Sequence, residues 1–120
     1  MVMTRKDLYL LKKIYENQMA LSSAIKELKI SCPNDLNNLH IMMRRGMVQT
    51  VADIFELTVP MSEDVLAQIP LKKPIIKEFR NTASHAYGTI TNVLAYACIV
   101  HCADKKLIKV VKDLMNTEIT

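Results

Sequence analysis

The chain has 120 residues, room for one domain with a real core but not for a second, so residues 1–120 read as a single helical domain. Sixteen Lys and Arg against twelve Asp and Glu give a net charge of +4, a mild pull toward polyanions that does not by itself separate nucleic-acid binders from other proteins. No apolar run approaches the roughly 20 residues that cross a bilayer, the three cysteines follow no disulfide framework, and no signal-peptide core follows Met1-Val2-Met3, so a cytoplasmic protein without a membrane is expected.

Two glycines and four prolines leave few turn signals, and the apolar residues lean toward Leu, Met, Ala and Ile, which favour helix over sheet. The expected fold is all-α, an up-and-down bundle of four to five helices. Thr4 and Asp7 form a capping-box pair, and Leu11, Ile14, Leu21, Ile25 and Leu28, interrupted by Gln18, give one stripe of a long helix over about 4–29. Ser31-Cys32-Pro33-Asn34 breaks it. Asn34 is placed to cap a second helix with Leu36, Leu39, Met43, Met47, Val51 and Ile54 as its buried stripe, stopped by Pro60. Gly46, after Arg44 and Arg45, costs roughly 1 kcal/mol inside that helix and predicts a close helix contact or a kink.

Ser62 with Glu63 and Asp64 predicts a short helix ending near Ile69, and Pro74 suits the first turn of the next, which is helical from Ile75 to Ser84. Gly88, Thr89 and Thr91 predict that the chain leaves that helix near His85 and caps another over about 91–102. Asp104 then caps a last helix with Leu107, Val110, Val111 and Leu114 inward and Lys105, Lys106, Lys109 and Lys112 outward. Half of the residues are hydrophobic, more than a bundle of this size readily hides, which predicts self-association.

The chemistry concentrates in Phe79-Arg80-Asn81-Thr82-Ala83-Ser84-His85-Ala86-Tyr87, which holds the pattern Arg-x4-His-x-Tyr. On an unbroken helix, residues five apart are rotated by about 500°, so Arg80 and His85 point different ways. They converge only through a break in the helix or through a second subunit, and both routes are open. Lys73, Lys77 and Arg80 repeat at four and three, a basic stripe suited to a phosphate backbone.

Arg80-Asn81-x3-His85-x-Tyr87 resembles the signature of HEPN-superfamily ribonucleases, and its trailing tyrosine resembles the HepT-like toxin branch. Ala52-Asp53-Ile54-Phe55-Glu56 loosely resembles an acidic segment in the second helix of that branch. The resemblance implies a HEPN-like helical bundle that pairs as a homodimer and cuts RNA, not DNA, without metal or cofactor. The 2′-hydroxyl of the substrate is then the nucleophile, with His85 moving protons, Arg80 forking onto the scissile phosphate and Asn81 orienting either. It also implies a nucleotidyltransferase antitoxin that transfers AMP to Tyr87, placing a bulky negative charge where substrate phosphates sit.

Each residue also has an ordinary use. Arg80 fits a salt bridge to Glu78, His85 a surface or hydrogen-bonded position, Asn81 a helix end, Tyr87 a packing site, and Lys73 and Lys77 a solvated face. Cys98, His101 and Cys102, at i, i+3 and i+4, suit a soft metal if Cys32 approaches, or simply a core. His40 reads as structural. No Gly-rich phosphate loop, serine nucleophile motif or carboxylate cluster is present, which weakens kinase, hydrolase and two-metal nuclease readings. The alternatives to a nuclease are a non-catalytic helical accessory module of a nucleotidyltransferase and a plain helical interaction protein.

Overall fold

The structure, a computed structural model, describes residues 1–83 and 90–119. Among these, six α-helices and one 3-10 turn form an all-helical bundle with no strand. The helices are α1 (Arg5–Glu27), α2 (Ile41–Thr58), α3 (Glu63–Leu66), α4 (Lys73–Ala83), α5 (Asn92–Cys102) and α6 (Lys105–Met115).

Thr4 starts α1 as expected: its hydroxyl accepts from the Asp7 amide at 3.0 Å while the Asp7 carboxylate accepts from the Thr4 amide. The stripe buries Leu10, Leu11, Ile14 and Leu21. Gln18, which interrupts it, is fully buried and donates from Nε2 to the Cys102 carbonyl at 3.0 Å. It therefore satisfies one of the carbonyls that the end of α5 leaves without a helical partner. Lys29, with φ 53°, ends α1 in the left-handed region, and Ile30 N donates back to Ile25 O at 3.0 Å. This is the closing bond of a Schellman turn without its usual glycine.

The start of the second helix differs from the expectation. Asn34 does not cap it: Pro33–Asn38 is a 3-10 turn, because the Asp35 carboxylate accepts from the Ser31 amide at 2.7 Å and from the Cys32 amide at 3.2 Å. Such a local side-chain bond competes with helix formation. The helix begins only at Ile41, where the His40 imidazole Nδ1 accepts from the Met42 amide at 3.1 Å. Leu36 is buried in the 3-10 turn instead of on a helix, and Met43 is exposed, whereas Met47, Val51 and Ile54 take their expected buried places. Ser62 precedes α3, but its hydroxyl donates to Asp7 Oδ2 at 2.7 Å and its amide to Asp7 Oδ1 at 2.9 Å. Burial opposes the charge of Asp7, yet the bonds from Ser62 and Thr4 outweigh it and hold its carboxyl below the ordinary range. The expected helix to Ile69 is a single α turn, Glu63–Leu66, because beyond it Gln68 N donates to Val65 O and Ile69 N to Leu66 O, three-residue spacings that tighten the chain out of the α-helix.

Thr91 caps α5 through Leu94 N, and Asp104 caps α6 through Lys106 N and Leu107 N, both as expected. The last helix buries Leu107, Val111 and Leu114 and exposes its four lysines. One set of buried side chains draws on all six helices. The first helix packs against α2 and α6, and α5 lies against the 3-10 turn, α2 and α4, which suits its nearly continuous apolar sequence.

Gly46 makes no close helix contact: no atom lies within 4 Å of where a Cβ would stand. Gly46→Ala is expected to stabilise the fold by about 1 kcal/mol, read as a higher denaturant midpoint. A lower midpoint would reveal that this face of α2 is covered after all.

Candidate functional site

The fourth helix carries the cationic residues of the motif. Its inward side buries Ile76 and Phe79, while Lys73, Lys77, Arg80 and Asn81 are exposed. Phe79 meets Phe55 of α2 edge to face, with ring centroids 5.4 Å apart and planes at 84°. The next residue makes a second contact at the same place: Arg80 Nη2 donates to the Phe55 carbonyl oxygen at 2.9 Å. That carbonyl is one of the last four of α2, which lack helical donors. The amide of Val59, its helical donor in a longer helix, turns to Glu56 O instead. The Thr58 hydroxyl also donates to it, at 2.6 Å. A guanidinium at a helix C-terminus is further favoured by the helix dipole.

Arg80 is not salt-bridged to Glu78 or to any other carboxylate among the described residues, and neither Lys73 nor Lys77 is ion-paired there. The three cations and Asn81 rim a cavity of about 380 Å³ whose floor is Leu66, Ile69, Leu71 and Ile76. No described carboxylate lines it. Like charges held together without counter-charges on an apolar hollow form an anion-attracting surface. The structure thus brings together Lys73, Lys77, Arg80 and Asn81. His85 and Tyr87, and with them the expected break in the helix, lie outside the described residues.

Past those residues, the returning chain is fixed by an interaction that the sequence did not disclose. Arg44 of α2 donates from Nη2 to the Ile90 carbonyl and from Nε to Asn92 Oδ1 at 2.9 Å. Asn92 in turn donates to Asn37 of the 3-10 turn, and Ile90 is buried. The second helix therefore holds the chain on both sides of the motif, at Arg80 through Phe55 and at Ile90–Asn92 through Arg44. The only signal in the sequence was the Arg44-Arg45 pair itself, which does not name a partner 46 residues away.

The acidic segment of α2 faces elsewhere. Asp53 and Glu56 border a separate surface hollow with Tyr9, Lys13 and Asn17, and Asp53 accepts from Gln49 at 2.8 Å.

Among the described residues no three His, Cys, Asp or Glu side chains are grouped to hold a metal. Cys98 and Cys102 are core residues; burial, reinforced by Glu78, pushes the Cys98 thiol up to about 12, and burial, reinforced by Cys98, pushes the Cys102 thiol up as well. His101 Nε2 accepts from the Lys72 amide at 3.1 Å, tying the end of α5 to the turn that starts α4. Burial, with Lys72 nearby, lowers the pKa of His101, so the neutral ring that this bond requires is the favoured form.

The chain matches no protein-family model, no curated protein and no solved structure.

Two outcomes are expected from these contacts. Because the folded His101 binds its proton less readily than the unfolded one, its contribution is complete above about pH 6.5 and is lost as the pH falls below that value. Urea midpoints against pH should show this slope in the wild type and a flatter one in His101→Gln; equal slopes would refute it. Arg44→Ala should cost about 1–2 kcal/mol, with Arg44→Lys recovering only part, because a lysine cannot fork onto two acceptors. An unchanged midpoint would show that the Arg44 bonds do not hold the returning chain.

Proposed function

We propose that the protein is a metal-independent endoribonuclease toxin of the HEPN, HepT-like type, acting as a homodimer. The observation that carries this reading is Arg80: an arginine of the Arg-x4-His-x-Tyr pattern, tethered among the described residues to the Phe55 carbonyl and paired with no described carboxylate. A guanidinium has five N–H donors, and the described residues engage it only through Nη2. An arginine needed only for stability is better served by a carboxylate partner, whereas one that must grip a phosphate has to be positioned without being neutralised.

In the proposed reaction, His85 of one subunit takes the proton from a 2′-hydroxyl of the RNA. The 2′-oxygen then bonds to the adjacent phosphorus, the bond from phosphorus to the 5′-oxygen breaks, and His85 of the other subunit protonates that leaving oxygen. The products are a 2′,3′-cyclic phosphate and a free 5′-hydroxyl. Arg80 stabilises the extra negative charge on the phosphorus, Asn81 orients Arg80 or the phosphate, and Lys73 and Lys77 bind flanking phosphates. Ile41, Met42, Met43 and Val93 are 46–69% exposed at the starts of α2 and α5, which the Arg44–Asn92 bond holds side by side. That apolar surface supports pairing of two chains. Control by a nucleotidyltransferase antitoxin, through AMP on the Tyr87 hydroxyl, belongs to the same reading and would oppose phosphate binding by charge and bulk.

The test is cleavage of a mixed RNA pool, tRNA included, by purified protein in EDTA, with end analysis for the 2′,3′-cyclic phosphate. His85→Ala and Arg80→Ala should each lose at least about 10²-fold in rate with the helical circular dichroism retained. Absence of cleavage by wild-type protein shown by mass to carry no AMP on Tyr87 would favour an accessory role beside a nucleotidyltransferase.

A further inference from the structure

The cavity beside Arg80 is larger and more apolar than a phosphate grip requires. A phosphate needs donors on a surface; this hollow adds an aliphatic floor of Leu66, Ile69, Leu71 and Ile76 beneath the cationic rim. Its volume of about 380 Å³ falls in the usual range of sites for small organic groups, roughly 300–1,000 Å³. The ligand it fits therefore combines a compact body of low polarity with negative charge at its edge. From Lys73 to Arg80 the rim follows α4 for roughly 10 Å, so the charge is presented as a line along one side of the hollow.

One hydroxyl-bearing residue belongs to the lining of this hollow. Thr58 lines the cavity and is 7% exposed, and its only hydroxyl proton is committed to the Phe55 carbonyl. Its oxygen can therefore act only as an acceptor toward a ligand. An oxygen with only acceptor capacity left favours a partner that presents an N–H edge. Flat faces of low polarity, N–H groups on the rim of the ring and an attached phosphate are together the chemistry of a nucleotide.

We propose that this cavity is a base-binding subsite, seating the nucleobase next to the phosphate gripped by Arg80 and so setting where RNA is cut. The effect on cleavage rests on the ribonuclease reading; nucleotide binding itself does not. The floor is aliphatic and offers no ring for stacking, so selection comes from the size of the base and the match of its edge to Thr58. Lys73 and Lys77 hold the phosphate on the far side of the seated base.

The experiment measures binding of 2′-O-methyl dinucleotides, which carry base and phosphate but lack the attacking hydroxyl, to the full-length protein by calorimetry and by amide shifts. All sixteen sequences are compared, with inorganic phosphate and the four nucleoside monophosphates as further arms. The expected result is a base preference of at least about tenfold at one of the two positions, inorganic phosphate at least tenfold weaker, and shifts centred on Thr58, Leu66 and Leu71. Leu71→Trp and Leu66→Trp, at partly buried positions of the floor, fill the hollow and leave the cations in place. Each should abolish the preference while the melting temperature stays near that of the wild type, and the other serves if one fails to fold.

Failure of this inference is distinguishable from failure of the ribonuclease reading. RNA cleavage whose end sequences, together with dinucleotide affinity, are unchanged in both Trp variants overturns the base subsite and leaves the nuclease. Selective dinucleotide binding lost in the Trp variants, without cleavage by unmodified wild type, overturns the nuclease and leaves a nucleotide site. Mononucleotides that bind tightly and selectively while dinucleotides do not bind would assign the cavity to a free nucleotide and overturn its role in RNA.

Discussion

The carbonyl of Phe55 is where the geometry of the site is decided. It stands at the end of α2, where the helix no longer supplies an amide, and a buried carbonyl without a donor is costly. Thr58 and Arg80 both donate to it. One residue earlier on α4, Phe79 packs edge-on against the ring of Phe55. An aromatic pair of this kind contributes about 0.5–1.5 kcal/mol beyond its burial, and a hydrogen bond from a charged donor about 1.5–3 kcal/mol. Two contacts to one residue, one apolar and one polar, fix both the rotation of α4 and its position along its axis. Lys73 and Lys77 inherit that orientation because they share its face.

The second helix has a further part in this. Arg44, eleven residues before Phe55, holds the chain at Ile90 and Asn92, and Asn92 reaches the 3-10 turn through Asn37. The segment between Arg80 and Ile90 thus departs from and returns to anchored points on one rigid element. Anchoring at both ends fixes where the segment leaves and rejoins the bundle. The residues that provide it are a backbone carbonyl and an arginine far from the motif, neither of which has any chemistry of its own to attract notice.

The buried polar residues elsewhere follow the same rule: each closes a chain end or a turn. Gln18 satisfies the end of α5 through the Cys102 carbonyl, Asp7 receives the amide and hydroxyl of Ser62 before α3, and His101 receives the amide of Lys72 before α4. Gln18 Oε1 alone is left without a partner in that set. These bonds link helices distant in sequence, and they explain why polar residues occupy positions in the interior that their side chains would otherwise leave.

By itself the sequence determined that the described chain is all-helical and, within a few residues, where most helices begin. The capping signals of Thr4 with Asp7, Thr91 and Asp104 and the apolar spacing of α1 and α6 act over three or four residues, the range within which a sequence speaks directly of its structure. It also placed Lys73, Lys77 and Arg80 on one face of one helix. Only the tertiary structure decided what that face looks onto, an apolar hollow with no described carboxylate, and which groups hold it. It decided too that Asp35 organises a 3-10 turn in place of a cap at Asn34, that Ser62 serves Asp7 instead of its own helix, and that Gly46 faces open space. Asp35 had two local uses open to it, the turn at Ser31 and Cys32 or a helix begun at Asn34, and local spacing permits both; for Ser62 the choice lay between its own helix and Asp7, 55 residues away, and packing makes that selection.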